Sequence, residues 1–418
     1  MRMLVNLTSK DTRLFYATAF VRSTAAGLTG VAAAIALRER GLTVRQTGYV
    51  IGAGLAGMAV ATALVTLMAD RIGRRRTLAA LALLSACGYA ALAAIDEFRI
   101  VVVLAFAGMV NAMGRDRGAA AAIDQAALPE VTTPERRTWT FAWYNVVLDA
   151  GQTLGSAAGA VPVLLATMWG VSRLAGHAWT FMGCAVALAA SAIAYSALSS
   201  HVEVSSDRRQ RLGHVDRYTR TIASNLVLLF GLDSLGSGFL NSALIAYWFF
   251  ERYGLSEVHV AALFAAARLL NAVSHVLAAW LAGRLGLVNT MVLTHLPSSV
   301  FLMLAPLAPS AAGAAALFLA REALVEMDVP TRQSYMMAIV APEQRTFISG
   351  ITNVTRLVGW AVGPMIAGAV MQNLGSATPL FIGGGLKICY DVLLYRQFRD
   401  LKPAEEVVSR APSDGDRQ

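Results

Sequence analysis

Cysteine is nearly absent. The three in 418 residues, Cys87, Cys184 and Cys389, lie far apart inside apolar stretches, which leaves neither a disulfide framework nor a thiolate metal cluster. Charge is scarce too: 15% of residues are Asp, Glu, Lys or Arg against 56% hydrophobic. With a mean hydropathy of +0.55, that is more apolar surface than a water-soluble core can hide. No HExxH or GxSxG pattern occurs. His177, His259 and His295 fall at the edges or outer ends of apolar runs and His275 stands alone, so nothing converges on catalysis and the chain reads as a non-enzyme. Its arginines are scattered over many loops instead of forming one patch, which argues against a nucleic-acid partner. The amino terminus lacks a cleavable-signal pattern, so the first apolar run is expected to stay in place. No cofactor and no metal is called for.

What the chain does have is long uncharged runs. A helix needs roughly 20 apolar residues to cross about 30 Å of hydrocarbon. Twelve such spans are predicted: Leu14–Leu37, Thr47–Ala69, Thr77–Ile95, Ile100–Leu128, Trp139–Trp169, His177–Leu198, Thr221–Phe250, Val258–Ala282, Thr290–Leu307, Ala311–Val340, Phe347–Leu374 and Pro379–Tyr395. The fourth, fifth, seventh and tenth exceed a straight crossing, so tilt or protrusion is expected. Runs of this length, rich in Ala, Leu and Gly, exclude a lipid-facing barrel built from alternating segments of about 10 residues. Lys and Arg concentrate in alternate links. Arg71, Arg74, Arg75, Arg76, Arg136, Arg137, Arg208, Arg209, Arg211, Arg217, Arg220, Arg284 and Arg345 define the inner side and place both termini in the cytoplasm. Residues 199–220 form the one long polar link. They divide a six-helix bundle at 1–198 from a second at 221–395, with a disordered tail at 396–418.

The halves repeat one another. PERRT followed by FAWYNVVLDAGQTLG aligns without a gap to PEQRT followed by ISGITNVTRLVGWAVG, matching Pro134, Glu135, Arg137, Thr138, Asn145, Val146, Gly151 and Gly155 with Pro342, Glu343, Arg345, Thr346, Asn353, Val354, Gly359 and Gly363. MADRIGRRR after the second span likewise pairs with LAGRLGLVN after the eighth, which keeps Arg284 and Gly286 but has Gly283 in place of the aspartate.

In these motifs the whole chain resembles the major facilitator superfamily. Ala69, Asp70, Arg71, Gly73, Arg74 and Arg75 match the family's basic loop signature, with Thr66 where its leading Gly stands, a replacement expected to loosen the packing of the second helix. Gly359, Gly363, Pro364, Ala367 and Gly368 carry a second, glycine-rich signature. Its copy at Gly151, Gly155 and Gly159 has Ser156 in place of the proline. The resemblance implies an all-α membrane fold of twelve transmembrane helices in two pseudo-symmetric bundles. It further implies close helix packing at Gly151, Gly155, Gly159, Gly359, Gly363 and Pro364, and Asp70 near the amino-terminal end of the eleventh helix. There a carboxylate meets the positive end of the dipole, while Arg71 and Arg74 engage nearby acids or carbonyls.

Ionisable groups inside spans each cost on the order of 3 kcal/mol or more in lipid and must face protein or water. Arg22, Asp149, Asp233, Arg268 and Arg356 are such groups. Asn145, Asp149 and Gln152 share a stripe at i, i+4 and i+7. Arg268, Asn271 and His275 do so at i, i+3 and i+7, and Asp233 and Asn241 lie on another, so these residues are assigned to a substrate or proton pathway. The tenth span contains REALVEMDVPTRQSY, where Pro330 should bend the helix between Glu326, Asp328 and Arg332; Arg117 and Asp124 sit two turns apart on the fourth. With Asp70, Arg71, Gly73 and Arg74 these form the expected cytoplasmic gate, ligand contact being the alternative for the two clusters. Asp149 and Asp233, alone among apolar neighbours in sequence, are the expected proton carriers.

The function expected is transport by alternating access: proton-coupled efflux of small amphipathic compounds, resembling the drug:proton antiporter branch, by a monomer in the plasma (inner) membrane. Its partners would be a small-molecule substrate, protons and the lipid bilayer. Arg22, Arg268 and Arg356 leave open uptake of a small organic anion. Metalloid efflux is a third reading that the scattered cysteines do not support.

Overall fold

The computed structural model describes residues 9–42, 44–111, 116–203, 217–240, 242–255 and 257–401. Every regular element among them is helical. The long helices are α1 (Lys10–Glu39), α2 (Val44–Ile72), α3 (Arg74–Ala94), α4 (Phe98–Ala107), α5 (Ala119–Ala127), α6 (Arg137–Ala158), α7 (Val161–Trp169), α8 (Arg173–Ser196), α9 (Arg217–Phe239), α10 (Ser242–Tyr253), α11 (Glu257–Leu285), α12 (Leu287–Leu304), α13 (Ala311–Val325), α14 (Asp328–Ile339), α15 (Arg345–Leu374) and α16 (Thr378–Phe398). Six described stretches are long and apolar enough to cross a bilayer unaided: Tyr49–Ile72, Arg74–Ala94, Arg173–Ser196, Arg217–Phe239, Ala262–Leu285 and Leu287–Leu307. Polarity among the described helices is inside-out relative to a soluble protein. Leu228 and Ile193 are 73% and 75% exposed, whereas Arg74, Asp124 and Asp391 are at most 1% exposed. That inversion is what hydrocarbon solvent selects.

The four overlong spans are the ones that break. The fourth divides into α4 and α5, the fifth into α6 and α7, the seventh into α9 and α10, and the tenth into α13 and α14. Tilt or protrusion is the expectation for them; each is divided into two helices instead, and where a proline is present the cause is local. In the tenth span Pro330 has no N–H to give the carbonyl of Glu326, and its ring crowds that carbonyl, so the chain turns at Glu326–Met327 before α14 resumes. In the fifth, Pro162 starts α7 where a missing N–H costs nothing, after tight turns at Gly159 and Ala160.

The sequence repeat is also a structural one. Pro134–Arg136 and Pro342–Gln344 each form a single 3-10 turn that leads into α6 and α15. Gly73 and Gly286 each precede a helix, α3 and α12, with φ of 111° and 88°, values that favour glycine and explain why these two positions survive in both halves. Glycines also set helix contacts. A Cβ on Gly151 or Gly155 would strike α1 at Phe20, Thr24 and Leu28, and one on Gly359 or Gly363 would strike α9 at Ser234, Leu235 and Gly238. Gly159 faces Val31 of α1. The side chain of Pro364, within α15, lies outside the described residues.

Two compact units result. The first comprises Met1–Thr132, Val147–His214 and Glu343–Asn353; the second comprises Thr133–Val146, Val215–Pro342 and Val354–Gln418. The division does not follow chain order alone, because the amino-terminal ends of α6 and α15 belong to a different unit from the remainder of the same helices. In the first unit, Ala25, Leu28, Tyr89, Leu92 and Phe181 belong to an apolar core that joins α1, α3 and α8. In the second, Trp248, Phe249, Leu302 and Phe318 do the same for α10, α12 and α13.

Candidate functional site

In the first unit a buried charge cluster forms around Arg22 on α1. Its Nε donates to Asp116 at 2.9 Å, one terminal nitrogen donates to Asp124 of α5 at 2.6 Å, and the other reaches the hydroxyl of Tyr195 on α8. The side chains of Arg22 and Asp116 are each 10% exposed and that of Asp124 is fully buried. One guanidinium thus serves two carboxylates, an anionic balance for which low dielectric makes each contact count. Arg22, Asp116 and Tyr195 line an open cleft whose other walls include Tyr89 and Asn111 and the apolar Met58, Leu81, Met109 and Leu188. Met109 holds φ at 52°, the one non-glycine among the described residues with positive φ. Such strain is more often kept at a ligand site than elsewhere. Arg117, assigned from sequence to the gate, is half-buried beside Asp116.

The second unit encloses a larger cluster. Lys387 of α16 donates to Asp233 of α9 at 2.7 Å and lies 3.4 Å from Nε2 of His295 on α12. The Nδ1 of His295 faces both carboxylate oxygens of Asp391, at 2.9 and 3.0 Å. Arg332 of α14 approaches Asp233 at 3.6 Å, is hydrogen-bonded to Asp328 one turn before it, and stacks 5.2 Å above the Phe230 ring. None of these charged side chains is more than 5% exposed. Asp233 is therefore solitary in sequence but not in space.

The two clusters occupy equivalent places. Gly151 packs on Ser23 and Gly359 on Ser234, so the preceding residues, Arg22 and Asp233, correspond. Asp124 and Arg332 correspond in the same register that pairs Pro134 with Pro342. One helix pair in each unit is thus pinned by an ion pair of reversed polarity, Arg22 with Asp124 and Asp233 with Arg332. Asp124, expected with Asp70 at a gate, is thus held by Arg22 in the first unit, and Asp328 and Arg332, expected there too, lie beside Asp233 in the second.

A separate set of contacts surrounds the basic turn of the first unit. Asp70 accepts from Arg74 at 2.8 Å and from the hydroxyl of Thr346, in the first turn of α15, at 2.9 Å. Arg74, 1% exposed, also reaches Thr346 and the carbonyl of Val202. Glu203 caps α3 by accepting from the backbone N–H groups of Arg74 and Arg75. Arg71 is exposed. Nearby, Arg345 pairs with Glu130 at 2.7 Å, and Gln125 accepts from Ser349 and Asn353 at 3.2 and 3.3 Å. The second unit holds the copy: Asn145 donates to Gln333 at 2.7 Å and Thr138 meets Ser334 at 2.8 Å. The expectation that Thr66 loosens the second helix is overturned, since Gly350 of α15 lacks a Cβ where Thr66 projects and takes up its bulk.

With this geometry established, the family profile described as Major Facilitator Superfamily matches residues 15–364 and 226–415. The chain belongs to the Major Facilitator Superfamily. An uncharacterised membrane protein of Saccharomyces cerevisiae is 24% identical to this facilitator over 93% of the chain and 94% of its own length. A human organic anion transporter superposes with a TM-score of 0.72 at 15% identity, over 92% of this chain and 99% of that one. A proton:xylose symporter superposes at 0.69 and 13% identity, over 96% and 98%. The facilitator is thus a multi-pass membrane transporter with the twelve-helix fold of its family.

Of the remaining residues expected in a pathway, Asn271 and His275 of α11 are buried and Arg268 is half-buried; Asp149 and Gln152 of α6 are half-buried; Arg356 of α15 stacks on Trp360 at 4.9 Å. Asn241 lies outside the described residues. Glu326 sits at the break between α13 and α14. The sequence reading passed over Asp116, Tyr195, Lys387 and Asp391 and put His295 at a span edge. The signal for two of these was present: Lys387 and Asp391, four apart and opposite in charge, fall inside the span predicted at Pro379–Tyr395, where neither can face lipid.

Proposed function

We propose that this facilitator exports small amphipathic organic compounds in exchange for protons, and that the compound binds in the cleft around Arg22. The observation that carries the reading is the charge balance there. Arg22 is already held by Asp116 and Asp124, so an incoming organic anion would have to displace a buried carboxylate. A compound with a basic headgroup meets Asp116 and Tyr195, and its apolar body meets Met58, Leu81 and Leu188. The contacts of Asp70, Arg74 and Thr346 are the proposed cytoplasmic gate: charged hydrogen bonds strong enough to close and few enough to break. Operation as a monomer in the plasma membrane with both termini inside completes the proposal, since the arginine-rich links then face the cytoplasm. Each inward proton gains about 2.3 kcal/mol per 100 mV and an exported monovalent cation costs the same, so one-for-one exchange draws on the pH gradient.

The test is accumulation of ethidium, an amphipathic cation, in sealed proteoliposomes with an acidic lumen. Wild type should concentrate the dye, and Asp116→Asn should raise the apparent KM by about tenfold, the effect of weakening one charged hydrogen bond. Gradient-independent dye movement, or preference for a small organic anion, contradicts the reading.

A further inference from the structure

The Asp233 cluster contains a group that the ion pairs alone do not require. His295 is buried within it, and its two ring nitrogens have different company. Nδ1 faces the paired oxygens of Asp391, which as a carboxylate can only accept, so with Asp391 ionised Nδ1 carries hydrogen in either charge state of the ring. Nε2 faces the Nζ of Lys387 at 3.4 Å. An ammonium has no lone pair to offer, so this contact is a hydrogen bond when Nε2 presents its own, as a neutral imidazole does. Oδ1 of Asp233, the same oxygen that Lys387 holds at 2.7 Å, lies 4.0 Å from Nε2 and can accept a hydrogen placed there.

We propose that His295 carries the transported proton and that its protonation breaks the Lys387–Asp233 bridge between α16 and α9. This deepens the proton coupling proposed above and rests on it. The step is simple to balance: hydronium gives a proton to the Nε2 lone pair and leaves water, and deprotonation returns that proton to water. Once Nε2 bears hydrogen, two cations 3.4 Å apart compete for one carboxylate oxygen. The imidazolium takes Asp233 and the ammonium is released. The surroundings fit a single exchangeable site. Asp233 lies between Lys387 and Arg332 and serves as the shared acceptor, while Asp391 accepts from Nδ1 throughout. The other charged or titratable groups on elements packed against α12 are Tyr390 of α16, its ring edge-on to His295 at 5.8 Å, Asp328 and Arg332 of α14, paired together, Arg321 and Glu322 of α13, also paired together, and Arg268 and His275 of α11, with Cys389, Tyr395 and Arg396 of α16, Tyr335 of α14 and Glu257, His259 and Arg284 of α11 on the same helices. Opening a bridge between two helices is a way for one proton to bias a conformational equilibrium.

The chain has only three lysines, Lys10, Lys387 and Lys402, so a Lys10→Arg, Lys402→Arg protein labelled with 15N-lysine and 15N-histidine gives one lysine signal in full-length protein in lipid bilayers. Between pH 9 and pH 4, solid-state NMR should show one imidazole, absent in His295→Gln, passing from an Nδ1–H tautomer to imidazolium, and the Lys387 Nζ signal shifting in the same step. A His295 that keeps one charge state over that range overturns the proposal, as does a Lys387 signal indifferent to it. In proteoliposomes, His295→Gln should retain downhill ethidium flux and lose at least tenfold of the pH-driven accumulation; undiminished drive would also overturn it. Wild type without pH-driven flux, alongside a titrating His295, would instead defeat the proposed coupling and leave the proton site standing.

Discussion

Arg22 and Asp233 occupy the same position in the two repeats and carry opposite charge, each bound to the residue that corresponds to the other's partner. Duplication kept the place for a buried ion pair while its polarity reversed. Arg22→Gln leaves Asp116 and Asp124 without their shared cation, and removing one member of a buried pair costs about 3–5 kcal/mol. Thermal unfolding in detergent should show a marked fall in Tm, partly recovered when Asp124→Asn removes the second charge. An unchanged midpoint would show that these charges are not held as described.

Gly350 and Thr66 are complementary in shape. Gly350→Ala should destabilise by about 1–3 kcal/mol through overpacking, and Thr66→Ala in the same chain should return most of it. Additive losses in a double-mutant cycle would mean that the two residues are not in contact.

Asp70 accepts two hydrogen bonds from groups far apart in sequence. Asp70→Asn should therefore slow turnover about tenfold, the equivalent of one weakened charged hydrogen bond, while the Kd for ethidium stays within about twofold. Lost binding at unchanged turnover would contradict a gating role.

Asp149 and Asp233 differ in setting although both look solitary in sequence. Asp233→Asn leaves Lys387 and Arg332 facing a neutral amide, and gradient-driven uptake should be abolished. Asp149→Asn, at a half-buried position on α6 and not a member of the Lys387–Asp233–His295 set, should have the smaller effect. Driven uptake unchanged in Asp233→Asn would remove it from the coupling machinery.

Features governed by local chemistry could be read from the chain. The excess length of four spans was visible although it pointed to tilt or protrusion and not to breaks, Pro330 marked a bend in one of them, and the PERRT and PEQRT turns disclosed the repeat. Partners contributed by distant helices could not be read. Nothing near Thr66 points to Gly350, and nothing near Arg22 points to Asp116 over Tyr195. Gln125 and Gln333, which receive Asn353 and Asn145, stand in the same repeat register, yet their value lies in pairing helices whose adjacency only folding creates. Lys387 and Asp391 are a different case. Their cost in lipid was legible from composition alone, and only the identity of the groups that offset it required the fold.

The most direct measurement follows proton and ethidium movement together in one preparation, with a trapped pH dye in vesicles loaded with ethidium and no imposed pH gradient. Exchange predicts that outward ethidium flow acidifies the lumen in proportion to the dye lost, and that His295→Gln severs the two. Ethidium leaving through wild-type protein while the lumenal pH stays flat would contradict proton exchange at its root.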